Sequence, residues 1–100
     1  MRFAITSVAE VELTEALEYY RDIDHALAVR FLREYEIVVN RVLRFPESGR
    51  LGAGGRYRSA LFRGYPYCIA YTVQNNRLTV EAVAHLKRGP QYWQELLKRF

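Results

Sequence analysis

Residues 67–85, YCIAYTVQNNRLTVEAVAH, hold two runs of aromatic, β-branched and small apolar residues on either side of Asn75-Asn76. Such runs favour strands, and a pair of residues that tolerates a left-handed backbone favours a tight hairpin between them. In the second run Leu78, Val80, Ala82 and Ala84 alternate with Thr79, Glu81, Val83 and His85. The uniformly apolar set is therefore expected toward the core and His85 toward the open face. The first run leaves two choices open, because Tyr67, Ile69 and Tyr71 oppose the small residues Cys68 and Ala70, and either set fits a core.

Upstream of the hairpin, residues 57–62 read as another strand, so that three successive strands form a meander. Residues 46–56, PESGRLGAGGR, contain four glycines, a proline and two arginines, and are expected to be an unordered, mobile loop. The amino-terminal half is helical in pattern. Phe3 and Ile5 alternate with polar neighbours, as in a short first strand. Ser7 stands three residues before Glu10, a spacing that forms a capping box at a helix start. Ala9, Leu13, Ala16, Leu17 and Tyr20 then predict an amphipathic helix over 8–22, with Glu10, Glu12, Glu15 and Glu18 on its other faces. Asp24 is placed to cap a second helix with the stripe Ala28, Phe31, Leu32, Tyr35, Val39 and Val42, and Pro46 ends it after Phe45. So short a link makes the two helices an antiparallel hairpin. Gly89-Pro90 opens a last amphipathic segment with Tyr92, Trp93, Leu96, Leu97 and Phe100 as its apolar positions. The expected architecture is a single α+β domain over 1–100.

Half of the 100 residues are apolar or aromatic, enough for one packed core. No run approaches the roughly 18 apolar residues of a membrane span, and the amino terminus turns acidic before a signal-peptide core could form, so a cytoplasmic chain is expected. Cys68 is the single cysteine, which excludes an internal disulfide and a cysteine-based metal site. The formal charge of +4 is unevenly spread. Residues 1–55 carry seven arginines against nine carboxylates, whereas residues 56–100 carry eight cations against Glu81 and Glu95. A strand-rich half with a charge of +6 suits an acidic partner, either nucleic acid or an acidic protein segment.

The segments FRGYPYCIAY (62–71) and AVAHLKRGPQYW (82–93) gather cations, an imidazole and a phenol. Arg56, Arg58, Arg63, Lys87 and Arg88 form a candidate anion-binding surface if the hairpin brings them together, and Trp93 offers a ring for stacking or for target contact. His85 has three readings. Its ring hydrogen-bonds a carbonyl and fixes the start of the last turn, or it moves a proton near neutral pH, or it binds a metal, for which no second ligand lies at suitable spacing. Tyr92 and Trp93 also fit plain packing of the last helix on the sheet.

The element order, together with EALEYY, FPESG, YPYCIAY and AVAHLKRGPQYW, resembles the RelE/ParE superfamily of toxins from bacterial type II toxin–antitoxin modules, which include plasmid-stabilisation systems. The likeness spans nearly the whole chain and is greatest to the ParE-like branch, where the pattern Ala82-Val83-x-His85-x-x-Arg88-x-Pro90-x-Tyr92-Trp93 recurs. It implies a small antiparallel sheet with the amino-terminal helical hairpin on one face and a short carboxy-terminal helix, no cofactor or metal, and a cognate antitoxin as partner. For activity it implies growth arrest by inhibition of DNA gyrase. The alternatives are metal-independent, ribosome-dependent cleavage of mRNA, as in RelE-like members, or a non-toxic interaction domain on the same scaffold. In the ribonuclease case Arg63 matches a phosphate-supporting arginine, and His85 and Tyr92 would act as proton donor or acceptor. The target- or nucleic-acid-binding set would be Arg56, Arg58, Lys87, Arg88 and Trp93. The lysine-rich strand of ribosome-dependent members is missing, with Arg56 and Arg58 near its place. Arginine cannot serve as a base at neutral pH.

Overall fold

Thr6 decides how the chain enters its first helix. The computed structural model describes residues 1–98. In it β1 (Arg2–Ile5) ends where the Thr6 amide donates to the Val80 carbonyl at 3.0 Å, and Thr6 Oγ1 accepts from the Ala9 amide at 3.1 Å. The cap of α1 (Ser7–Ile23) is therefore Thr6, one residue before the expected Ser7 box, because β5 holds Thr6 both through its amide and through its hydroxyl, which donates to the Glu81 carbonyl at 3.4 Å while accepting from the helix. Asp24 both closes α1, donating its amide to the Tyr20 carbonyl, and opens α2 (His25–Arg44) by accepting from the Ala26 amide at 3.2 Å. A one-residue joint that serves two helices folds them into the expected hairpin. Phe45 caps α2 just before Pro46.

The strands that follow are β2 (Arg50–Leu51), β3 (Arg58–Leu61), β4 (Tyr67–Gln74) and β5 (Arg77–His85), and α3 (Pro90–Leu97) comes last. Their order in the sheet is β1-β5-β4-β3-β2. The meander is antiparallel as expected, and β1 joins its far side parallel to β5, with Arg2 opposite Arg77 and Ile5 opposite Val80, so the sheet is mixed. Asn75 and Asn76 adopt φ of 52° and 59°, the mirror-image turn whose twist matches the two strands it joins. Phe100 of the expected apolar stripe lies outside the described residues.

The α1–α2 hairpin covers one face of the sheet. Phe31, Tyr35, Val38, Val39 and Val42 of α2 and Ala9 and Ala16 of α1 pack on Ile69, Tyr71, Leu78, Val80 and Val83. Two details of the expected α2 stripe change. Val38 is fully buried, and Leu32, which sits roughly 70° from the centre of the buried arc, is 39% exposed.

A bulge changes the parity of β5. Tyr71 pairs with Val80 and Ala70 with Ala82, which leaves Glu81 as an extra residue. Beyond it every side chain of β5 changes face. Leu78, Val80 and Val83 look toward the hairpin, and Ala82 packs with Ala70 and Leu96 beneath α3, so the expected single row from Leu78 to Ala84 is divided between both faces. His85, opposite Tyr67, lies on the hairpin side and not on the open face, its ring 5.1 Å from that of Tyr67. The pairing also settles β4, with Tyr67, Ile69 and Tyr71 toward the hairpin and Cys68 and Ala70 toward α3.

The glycine-rich stretch is ordered by side chains from the sheet. Tyr71, 1% exposed, donates through its hydroxyl to the Pro46 carbonyl at 2.8 Å and accepts from the Gly49 amide at 3.0 Å. A Cβ on Gly49 would collide with that hydroxyl and come within 2.9 Å of the Ser59 carbonyl oxygen. The segment then pairs as β2 against β3, Arg50 opposite Ser59. Tyr71→Phe strands the Gly49 amide, and a loss of about 1–3 kcal/mol is expected in urea unfolding. A loss below about 0.5 kcal/mol would mean that water replaces the phenol there.

Candidate functional site

The residues singled out from sequence fall into three neighbourhoods. Arg63 lies in the β3–β4 turn, residues 62–66, where its amide donates to Glu34 Oε2 of α2 at 2.7 Å, and its side chain is exposed beside Arg30 and Arg33. His85 sits at the turn after β5 as expected, but its ring meets an amide there and not the expected carbonyl: Nδ1 accepts from the Lys87 amide at 3.0 Å. Tyr92 on α3 donates its hydroxyl to Glu12 Oε2 at 2.6 Å, with the Arg88 guanidinium 4.9 Å above its ring. Each of the three expected catalytic residues thus has its own, separate partners.

Glu12 is a residue that the sequence reading passed over as one of several acids on the outer faces of α1. Because β1 stops opposite Val80, the second half of β5 has no strand on that side. Glu12 Oε1 fills the gap by accepting from the Val83 amide at 3.1 Å, and its other oxygen takes the Tyr92 hydroxyl. One half-buried carboxylate joins α1, β5 and α3.

The basic surface is divided. Arg58 is half-buried at the start of β3 and donates through Nη1 to the carbonyls of Gly49 at 2.9 Å and Glu47 at 3.3 Å, so its charge helps hold the 46–49 segment. Arg58 pairs with Tyr71, which faces Val80, five residues before His85, or about 17 Å along the strand. Lys87 and Arg88 lie beyond that far end. The hairpin therefore does not bring Arg58, with Arg56 preceding it, together with Lys87 and Arg88.

Trp93 donates its indole N–H to the Arg88 carbonyl at 3.2 Å and rests against the Ala70 and Ala82 cluster. It also forms one wall of a groove of about 830 Å³ on the face away from the hairpin, with Leu51, Tyr57, Leu61 and Leu86. Leu61 is 61% exposed, Leu51 54% and Leu86 46%, and Arg41 and Arg50 stand on the rim. These leucines were not singled out from sequence. The available signal was the parity of β3, where Ala60 and Phe62 enter the core and Tyr57, Ser59 and Leu61 must take the other face. Cys68 lies in the floor of this groove, where burial, with a smaller contribution from Glu12, pushes its thiol up to about 11. It is a neutral thiol at physiological pH, without the thiolate that a nucleophile needs. Tyr67 is raised by burial, and Arg88 opposes that shift. Among the described residues no group of three His, Cys, Asp or Glu side chains is placed to hold a metal ion. Among the described residues no helix is long and apolar enough to cross a membrane.

The described chain is an α+β fold, a mixed sheet with a helical hairpin on one face and an open apolar groove on the other. Residues 4–90 match the family described as the ParE toxin of the type II toxin–antitoxin system parDE, and the chain belongs to that family. Among solved structures it is similar to one titled a chromosomal ParDE toxin–antitoxin system from P. aeruginosa. The TM-score is 0.74 at 14% sequence identity, over 85% of this chain and 95% of that one, which is a likeness of fold. A search of curated protein sequences gives no match.

Proposed function

We propose that this ParE-family chain arrests growth by binding and inhibiting DNA gyrase in the cytoplasm, without cleaving RNA, and is silenced by a cognate antitoxin. The observation that carries this reading is the commitment of the expected catalytic groups to the fold. The Tyr92 hydroxyl is given to Glu12 and the His85 Nδ1 to a turn amide, whereas Leu51, Leu61 and Leu86 offer exposed apolar surface beside Trp93. Groups so engaged are poorly placed for proton transfer. An apolar groove with arginines on its rim suits a protein partner that brings apolar anchors and carboxylates.

The experiment is controlled expression of parent and His85→Ala chains in cells reporting both DNA damage and translation. DNA damage with ongoing translation is expected from both, and inhibition by the variant should stay within about threefold of the parent. A ribonuclease would instead lose about 10²-fold or more on removal of its acid or base. Prompt translation arrest by the parent, abolished in a folded His85→Ala chain, would overturn the reading.

A further inference from the structure

Arg63 belongs to a second, different surface. Leu27, Arg30, Glu34 and Ile37 follow one another at helical spacing along a flank of α2, and the β3–β4 turn stands opposite to enclose a groove of about 490 Å³. The turn is fastened at two points. Tyr65 donates its hydroxyl to the Leu27 carbonyl at 2.9 Å, and the Arg63 amide donates to Glu34 at 2.7 Å. Gly64, at φ +84°, supplies the left-handed residue that lets the chain reverse between them. The wall that carries Arg63 is therefore fixed relative to the helix that carries Arg30 and Arg33.

Three guanidiniums border this groove against the single carboxylate of Glu34, which is engaged by the turn amide. Among the described residues none of the three has an ion-pair partner. Planar guanidinium forks match the oxygens of a phosphate group, and three positive charges suit several phosphate charges, as on a diphosphate or on successive phosphodiesters, better than a single carboxylate. Leu27, Ile37 and Tyr65 add an apolar floor, and the volume falls in the range of small-ligand sites. A bare anion would leave that floor uncovered. We infer that the groove between α2 and the β3–β4 turn binds a nucleotide, its phosphate on Arg30, Arg33 and Arg63 and its ring system on Ile37 and Tyr65. The nucleotide is either free or part of a nucleic acid strand.

The test uses the purified chain at low salt, titrated with inorganic phosphate, ADP and a short oligothymidylate, with amide NMR shifts as the readout. It does not depend on the gyrase reading. ADP, the oligonucleotide or both are expected to shift the resonances of residues 63–65 and to bind at least about tenfold more tightly than inorganic phosphate. Binding of ADP identifies a free nucleotide as a source, and binding of the oligonucleotide alone identifies the strand. The double variant Arg30→Ala, Arg33→Ala should lose at least about tenfold, since each charge-assisted hydrogen bond is worth more than about 1.4 kcal/mol, with unchanged thermal unfolding. Equal affinity for phosphate and the nucleotide ligands would overturn the assignment, as would absence of binding or unaltered binding by the double variant.

Discussion

Phe31→Ala is expected to remove about 3–5 kcal/mol from the stability of the chain. Phe31 has no exposed surface, and its ring centre lies 5.2 Å from that of Tyr20 and 5.1 Å from those of Phe62, Tyr65 and Tyr67. These rings come from α1, from the β3–β4 turn and from β4, so one side chain joins the hairpin to the sheet. Its removal leaves a cavity that rings held on separate elements cannot all move to fill. For a domain of this size each kcal/mol corresponds to about 4–8 °C, so a fall in melting temperature of roughly 12–40 °C is expected by circular dichroism. A fall of less than about 5 °C would mean that the aromatic cluster does not hold the two layers together.

The second large effect is functional. Leu61→Asp in the groove is expected to abolish growth arrest and to weaken association with an antitoxin by about 100-fold or more. Interface centres concentrate their energy in a few apolar anchors, and a carboxylate there must be desolvated without a partner. Because Leu61 is 61% exposed in the isolated chain, folding should change by no more than about 0.5 kcal/mol. Growth arrest and antitoxin copurification are measured beside thermal unfolding. Undiminished arrest with full copurification would show that the groove is not a contact surface, and a large fall in melting temperature would show that Leu61 serves the fold.

Much of the fold was legible because it rests on local rules. Asn75-Asn76 could hardly be other than a hairpin turn, and Asp24 marked the joint between the helices. What escaped depends on residues distant in sequence. The bulge at Glu81 follows from how β5 meets β4, and alternation within β5 alone continues through it unchanged. That one residue sent His85 to the hairpin side. Ser7 and Glu10 formed a plausible capping box, and nothing local revealed that Thr6 was fixed by Val80. The loop at 46–56 has no propensity for order of its own, and its structure comes from Tyr71 and Arg58. The candidate site was less legible than the fold for the same reason. Charge composition pointed to one basic surface, and it could not tell that Arg58 serves loop carbonyls, or that Arg63 joins arginines of the acidic half. Glu12 looked like one solvated acid among four until β5 was seen to need an acceptor there.

The most direct test of the central claim is a supercoiling assay with purified DNA gyrase, run beside a ribosome-dependent mRNA cleavage assay on the same preparation. Loss of supercoiling at toxin concentrations near that of gyrase, relieved by the antitoxin, with mRNA left intact, is the expected result. Unimpaired supercoiling with cleavage of ribosome-bound mRNA would contradict the account.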